Sequence, residues 1–215
     1  MAPTLAALAV VLIVVGGCSA SQQSPPDHPV VENPEMAGIR VRSRDEVSPP
    51  TADPSSTLID HDGQPMNMYE DLEGKVVLLS FAYTRCPDVC PLLFAQFLTI
   101  QRRLSDLMDE EVEIILVTTD PEWDTPTRLR KFTKNLRAGW HYLSGDVEDL
   151  QKVWDQYDIT VVVNPQEITE HSYRVFVVDG SGQLRYRYAG LLDVEAVLDD
   201  IKSLIPQAIA MGATR

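Results

Sequence analysis

Two runs along the chain are almost continuously apolar, KVVLLSFAY at 75–83 and VEIILVTTD at 112–120. Runs of that length bounded by turn residues fit strands buried on both faces. Elsewhere the period lengthens to that of a helix. In PLLFAQFLTIQRRLSDLM (91–108), Leu92, Leu93, Phe97, Ile100, Leu104 and Leu107 trace one apolar stripe, which predicts an amphipathic helix. DTPTRLRKFTKNL (124–136) predicts a second helix, with Asp124 or Thr125 as its cap and Pro126 in the first turn, where a missing amide is harmless. DVEDLQKVWDQY (146–157) predicts a third, its early acidic residues favourable to the helix dipole, and DVEAVLDDIKSLI (193–205) a fourth. Shorter stretches read as hairpins: STLIDHDGQPMNM (56–68) turns at HDGQP, and YRVFVVD and QLRYRYAG are joined by GSG.

The resulting order alternates strand and helix and then closes with a hairpin and a helix, which predicts an α/β fold with a central mixed sheet flanked by helices on both faces and an N-terminal hairpin. It is compatible with a thioredoxin-like arrangement. In such sheets function sits beyond the carboxyl ends of the strands. The first buried run ends directly on TRCPDVCP (84–91), which places two cysteines at that end.

With 215 residues and 44% hydrophobic content, the chain supports one core plus appendages and needs no staple to hold it. Residues 1–17 read as a signal peptide, because the apolar run from Leu5 to Val15 is shorter than the ~20 residues a bilayer span needs. No Lys or Arg precedes that run, a departure from the usual pattern. VGGC (15–18) looks like a bacterial lipobox, cleaved before Cys18 with lipid on its sulfur. Residues 18–56 are rich in proline and lack aromatic residues, so they read as a flexible tether, and 57–215 as the folded domain. The domain is therefore expected outside the cytoplasm, held to a membrane only through its lipid. A net charge of −14, from 18 basic and 32 acidic residues, argues against nucleic acid.

Lipidation of Cys18 leaves only Cys86 and Cys90 of the three cysteines, so this pair acts together or not at all. Four apart on a helix, they point from one face, and that spacing serves a disulfide and a shared metal ion equally well. The helix N-terminus and the neighbouring Arg85 are expected to lower the Cys86 pKa. Three intervening residues, rather than the two of a usual dithiol exchanger, tilt the reading towards metal without excluding redox work. Two thiolates form a soft site for Cu(I), zinc or an iron–sulfur cluster, and one imidazole would complete it. Of four histidines, His28 lies in the tether, His61 in a polar turn, and His141 beside aromatic residues. His171, at the entrance to the YRVFVVD strand, is the candidate ligand, since a strand-entry loop can fold back over the site. Met66 and Met68 read as packing and Met36 as tether composition.

FAYTRCPDVCP, then VTTDPEWDTPTRLRKF, then EHSYRVFVVDGSGQL resemble, in order, the signatures of the Sco family (Sco/SenC), the thioredoxin-fold copper chaperones of cytochrome c oxidase assembly. The resemblance spans about Leu58 to Ile205. It implies that Cys86, Cys90 and His171 bind one copper ion, as Cu(I) or Cu(II), and that Asp120 and Asp124, in the family's DPxxDTP stretch, support the site from behind. It implies a partner in oxidase subunit II, with a copper donor protein and a thioredoxin-like reductant as further candidates. Trp123 stands where family members often carry a charge, and a lipobox tether replaces their common transmembrane anchor. The alternative is a thiol–disulfide oxidoreductase acting on the cysteines of the copper-receiving site, with Cys86 as nucleophile and Cys90 as resolving thiol.

Overall fold

The two long apolar runs lie side by side at the centre of the sheet. β4 (Val76–Ala82) and β5 (Val112–Thr118) are parallel and paired over their whole length, and all seven residues of each are buried. The computed structural model describes residues 45–46, 57–162, 170–171 and 173–212. Within it a six-stranded sheet runs β1-β10-β9-β4-β5-β6. β6 (His141–Leu143) extends the parallel part beyond β5, while β9 (Arg174–Val178) and β10 (Leu184–Ala189) are the antiparallel hairpin closing the other side. β2 (Thr57–Ile59) and β3 (Pro65–Asn67) form the expected N-terminal hairpin, and its Ile59 exchanges backbone hydrogen bonds with Ser144.

Strand residues alternate between the two faces, and so divide the core in two. Val76, Leu78 and Ala82 face α1 (Cys90–Arg103), Leu129 of α2 (Pro126–Leu136), and α4 (Val194–Gly212). Val77, Leu79 and Phe81 face α3 (Val147–Gln156) and the β2–β3 hairpin. Helices thus cover both faces, in the thioredoxin-like arrangement that the strand–helix order predicts. Ser80, fully buried in β4, satisfies its hydroxyl by donating to the Arg174 carbonyl at 2.8 Å, so the one polar residue in that strand interrupts nothing.

Several boundaries differ from expectation for identifiable reasons. α1 stops at Arg103, because residues 104–109 turn to bring Val112 back alongside Val76. Leu92 does not join the buried stripe and is 40% exposed; Phe94 takes that place against Phe132. β1 (Asp45–Glu46) pairs with Tyr186 and Arg187 inside the stretch read as tether. An edge strand is held by backbone hydrogen bonds, so this contact leaves no hydrophobic signature. A second ribbon, β7 (Val161–Val162) with β8 (Glu170–His171), occupies what reads as a strand-entry loop. The signal segment, Cys18, His28 and Met36 lie outside the described residues. Among the described residues no helix is long and apolar enough to cross a membrane.

Candidate metal and thiol site

The site is built where β4 ends. Tyr83 is the last buried residue, after which the chain leaves the sheet through Thr84–Val89 and enters α1 at Cys90. The cysteines therefore do not share a helix face, contrary to the expectation from their spacing. Cys86 sits half-buried in the loop, and Cys90 is the fully buried first residue of the helix. Pro91 follows in the first turn, which lacks amide partners in any case. The loop still brings the two sulfurs within hydrogen-bond reach.

Their chemistry is unequal. The Cys90 thiol donates to Cys86, and the amides of Cys90 and Asp88 and the Tyr83 hydroxyl add further donors, which together lower the Cys86 pKa to about 5 against the opposing effect of burial. Cys90, as the donor in that bond and as a buried group, is pushed the other way and holds its proton. Tyr83, its pKa raised first by burial and then by the Cys86 charge, remains a donor throughout. The helix N-terminus acts through one amide, that of Cys90, and the Asp88 amide belongs to the loop before it. Arg85 is engaged elsewhere: its Nε donates to Asp120 Oδ2 at 2.6 Å and its guanidinium lies 5.0 Å from the Trp123 ring centre. It is not among the main groups that lower Cys86.

A direct check follows from this inequality. In the reduced protein, alkylation of Cys86 by iodoacetamide is expected to rise through a midpoint near pH 5, in place of the ordinary thiol value near ~8.5. Cys90 should stay unlabelled until the protein is denatured. Tyr83→Phe should raise the midpoint, because a donor to the thiolate is lost, and Arg85→Gln should leave it in place. A midpoint near the ordinary thiol value would show that the donors do not act on Cys86.

The loop is held by a residue far along the chain. Asp124 is fully buried and accepts from the Thr84 amide at 3.0 Å, from the Thr84 hydroxyl, and from the Thr118 hydroxyl at 2.8 Å. It is therefore not the cap of α2; Thr125 holds that position, with no side-chain capping bond. The turn from Asp120 to Asp124 is closed by the Asp124 amide donating to the Asp120 carbonyl at 2.8 Å. Both carboxylates thus lie behind the cysteine loop, Asp124 on Thr84 and Asp120 on Arg85. Sequence reasoning passed over Tyr83, Thr84 and Thr118. Tyr83 and Thr84 had one available signal, their place directly before the cysteine motif.

The histidines divide clearly. His61 and His141 face each other at the sheet edge with ring centres 5.9 Å apart, and His61 Nδ1 accepts the Tyr142 amide at 3.3 Å. His171 lies in β8 opposite Val161; its side chain is outside the described residues. Two residues later Tyr173 packs on the α1 side of the core, and burial first and then the Cys90 charge raise its pKa, so the chain re-enters the neighbourhood of the cysteines. Among the described residues no three His, Cys, Asp or Glu side chains are placed to hold a metal. Met66 and Met68 pack against the core on the α3 face, as expected of gap-filling side chains.

The sequence model of the SCO1/SenC family matches residues 45–206. A protein of Stutzerimonas stutzeri named for copper binding is 30% identical over 162 residues, which cover 73% of this chain and 76% of that protein. Two mammalian mitochondrial relatives are longer, the chain spanning 57% and 59% of their length. Among solved structures, copper-bound ScoI of Bradyrhizobium japonicum aligns with a TM-score of 0.62 at 26% identity, covering 69% of this chain and 96% of that one. BsSco, described as having a disulfide switch and as belonging to the Sco family of cytochrome c oxidase assembly proteins, aligns with a TM-score of 0.62 at 25% identity, covering 75% and 96%. The family match extends from the edge strand β1 into α4, and so encloses the whole sheet and the cysteine loop. This chain is a member of the SCO1/SenC family.

Proposed function

We propose that this protein is an extracytoplasmic copper metallochaperone for cytochrome c oxidase, anchored through lipid on Cys18 and carrying one copper ion on Cys86, Cys90 and His171. The observation that carries the reading is the sulfur pair at the end of β4, one thiolate and one buried thiol in hydrogen-bond contact, in a chain of this family. Two sulfurs are a soft donor set suited to Cu(I), and an imidazole extends the set towards Cu(II). A thiol binds metal as thiolate, so Cys90 gives up its proton as the metal enters. A three-ligand site leaves one side open, through which the ligands of the dinuclear copper centre in oxidase subunit II exchange for those of the carrier. The copper bound to the Bradyrhizobium relative and the oxidase-assembly role of BsSco's family support the same cargo and destination. A copper donor protein and a thioredoxin-like reductant would serve the same cycle.

The unequal thiols favour one second reading, a thiol–disulfide reductase. The Cys86 thiolate would attack a disulfide of the copper-receiving site, releasing one partner thiolate. Cys90 would then lose its proton and displace the second, leaving Cys86–Cys90 oxidised and the partner dithiol reduced. Such chemistry has no use for an imidazole. Oxidase assembly in cells separates the two: loss of the copper centre with both Cys86→Ser and His171→Ala is the expected result for a carrier. Full assembly with His171→Ala, alongside failure with Cys86→Ser, would leave the reductase standing in its place.

A further inference from the structure

Helix α2 and its C-cap carry Arg128, Arg130, Lys131, Lys134 and Arg137, five of the chain's 18 basic residues, and no carboxylate between Pro126 and Arg137. All five are exposed, while Leu129 and Thr133 are buried and Phe132 and Leu136 lean on the core. Helical geometry thus gathers the cations on one solvent-facing side. The arrangement is costly within the helix: like charges three and four apart repel, by roughly 0.2–0.5 kcal/mol per pair in isolated helices. Arg128, moreover, sits in the first turn, where the dipole disfavours a cation. Little inside the molecule offsets this. Arg130 bonds Asp62 and the His61 and Asp62 carbonyls. Lys131, Lys134 and Arg137 have no ion pair among the described residues.

This face is continuous with the cysteine loop. The Trp123 ring, 40% exposed, has the guanidinium of Arg128 at 3.8 Å and that of Arg85 at 5.0 Å from its centre, and Arg85 precedes Cys86. Cys86, Arg85, Trp123, Arg128 and the outer face of α2 therefore form one strip. Tryptophan and arginine are the residues enriched at the energetic centres of protein interfaces. On a chain of net charge −14, a cationic strip leading to the reactive sulfur orients an incoming negative surface towards that sulfur.

We infer that the strip from Trp123 along the outer face of α2 is the docking surface for an acidic face of the protein that exchanges copper with Cys86. The inference rests on the carrier reading for the identity of that partner. A protein fits better than an anionic bilayer, because a membrane pressed on this strip would cover Cys86 and because the molecule as a whole repels anionic lipid.

The test compares the copper-loaded full chain with its Lys131→Glu/Lys134→Glu/Arg137→Glu variant in neutral detergent, by stopped-flow association with the copper-site domain of the same organism's oxidase subunit II. Poly-L-glutamate and phosphatidylglycerol mixed micelles serve as separate probes. Wild type is expected to associate at a rate that falls with added salt, and the variant at least ~10-fold more slowly and almost independently of salt, with equal copper content. Equal rates overturn the docking surface and leave the copper site untouched. If the oxidase domain binds neither protein, the carrier's proposed destination fails, and the strip is judged by poly-L-glutamate: charge-dependent binding upholds it and none overturns it. Charge-dependent binding of the lipid micelles alone overturns it in favour of a membrane contact.

Discussion

His171→Ala is expected to weaken Cu(I) binding by at least ~100-fold, beyond the 10–100-fold typical when a partner merely supporting a ligand is lost. The argument is one of donor number and placement. Cys86 and Cys90 supply two sulfurs in mutual contact, and a two-sulfur grip leaves the ion open to competing thiols. The chain returns to this neighbourhood just past β8, where burial and then the Cys90 charge raise the Tyr173 pKa. Anaerobic competition against a Cu(I) chelator, using the reduced full chain, gives the affinities. Unchanged circular dichroism in the copper-free variant should accompany the loss. If His171→Ala keeps wild-type affinity while Cys86→Ser loses it, the three-ligand site is wrong, and a two-sulfur or purely redox site replaces it.

Asp124→Ala is expected to be the most destabilising single change near the site. It strips the acceptor from the Thr84 amide and from the Thr84 and Thr118 hydroxyls; Asp124 and Thr118 are fully buried and Thr84 is half-buried. Buried donors left without acceptors cost ~1–3 kcal/mol each, and with partial relaxation a total of about 3 kcal/mol follows. For a chain of this size that lowers Tm by roughly 10 °C. Because Thr84 leads into the cysteine loop, the Cys86 alkylation midpoint should rise as well. Asp124→Asn keeps the shape and one acceptor, and should cost about 1 kcal/mol. Burial raises the Asp124 pKa against the lowering effect of its hydrogen bonds. A raised folded-state pKa contributes stability that is complete below the ordinary carboxylate range and is lost as pH rises through the folded value. The deficit of Asp124→Asn relative to wild type should therefore be widest in acid and narrow towards neutral pH. Denaturant titrations across that range measure it, and a deficit that grows with pH would contradict a buried, reluctantly ionised carboxylate.

The elements most legible in the chain were those whose hydrophobic period is strong. β4, β5 and the four helices follow from runs and stripes that burial alone dictates, and the turn to TRCPDVCP marks the functional end of β4. β1 and the β7–β8 ribbon are held by backbone pairing that no side-chain pattern announces. Leu92 shows the complementary failure: it fits a helical stripe, yet the face that α1 buries runs through Leu93, Phe94, Phe97 and Ile100 and leaves Leu92 in solvent.

At the site, the residues of the chain determined which atoms are available: two sulfurs beside a strand end, an imidazole before a later strand, and carboxylates in a turn after β5. Spacing and residue type suffice for that, because they are local properties. Only the tertiary structure decided what each atom does. Asp124 reads locally as a helix cap, but the parallel pairing of β4 with β5 sets the two strand ends side by side and turns its carboxylate onto Thr84, forty positions earlier. Arg85 reads locally as the cation beside Cys86, but the same juxtaposition offers it Asp120 at 2.6 Å. The difference between a thiolate at Cys86 and a retained proton at Cys90 likewise arises from burial and from donors that meet only when the loop is folded against the helix, which no reading of sequence neighbours contains.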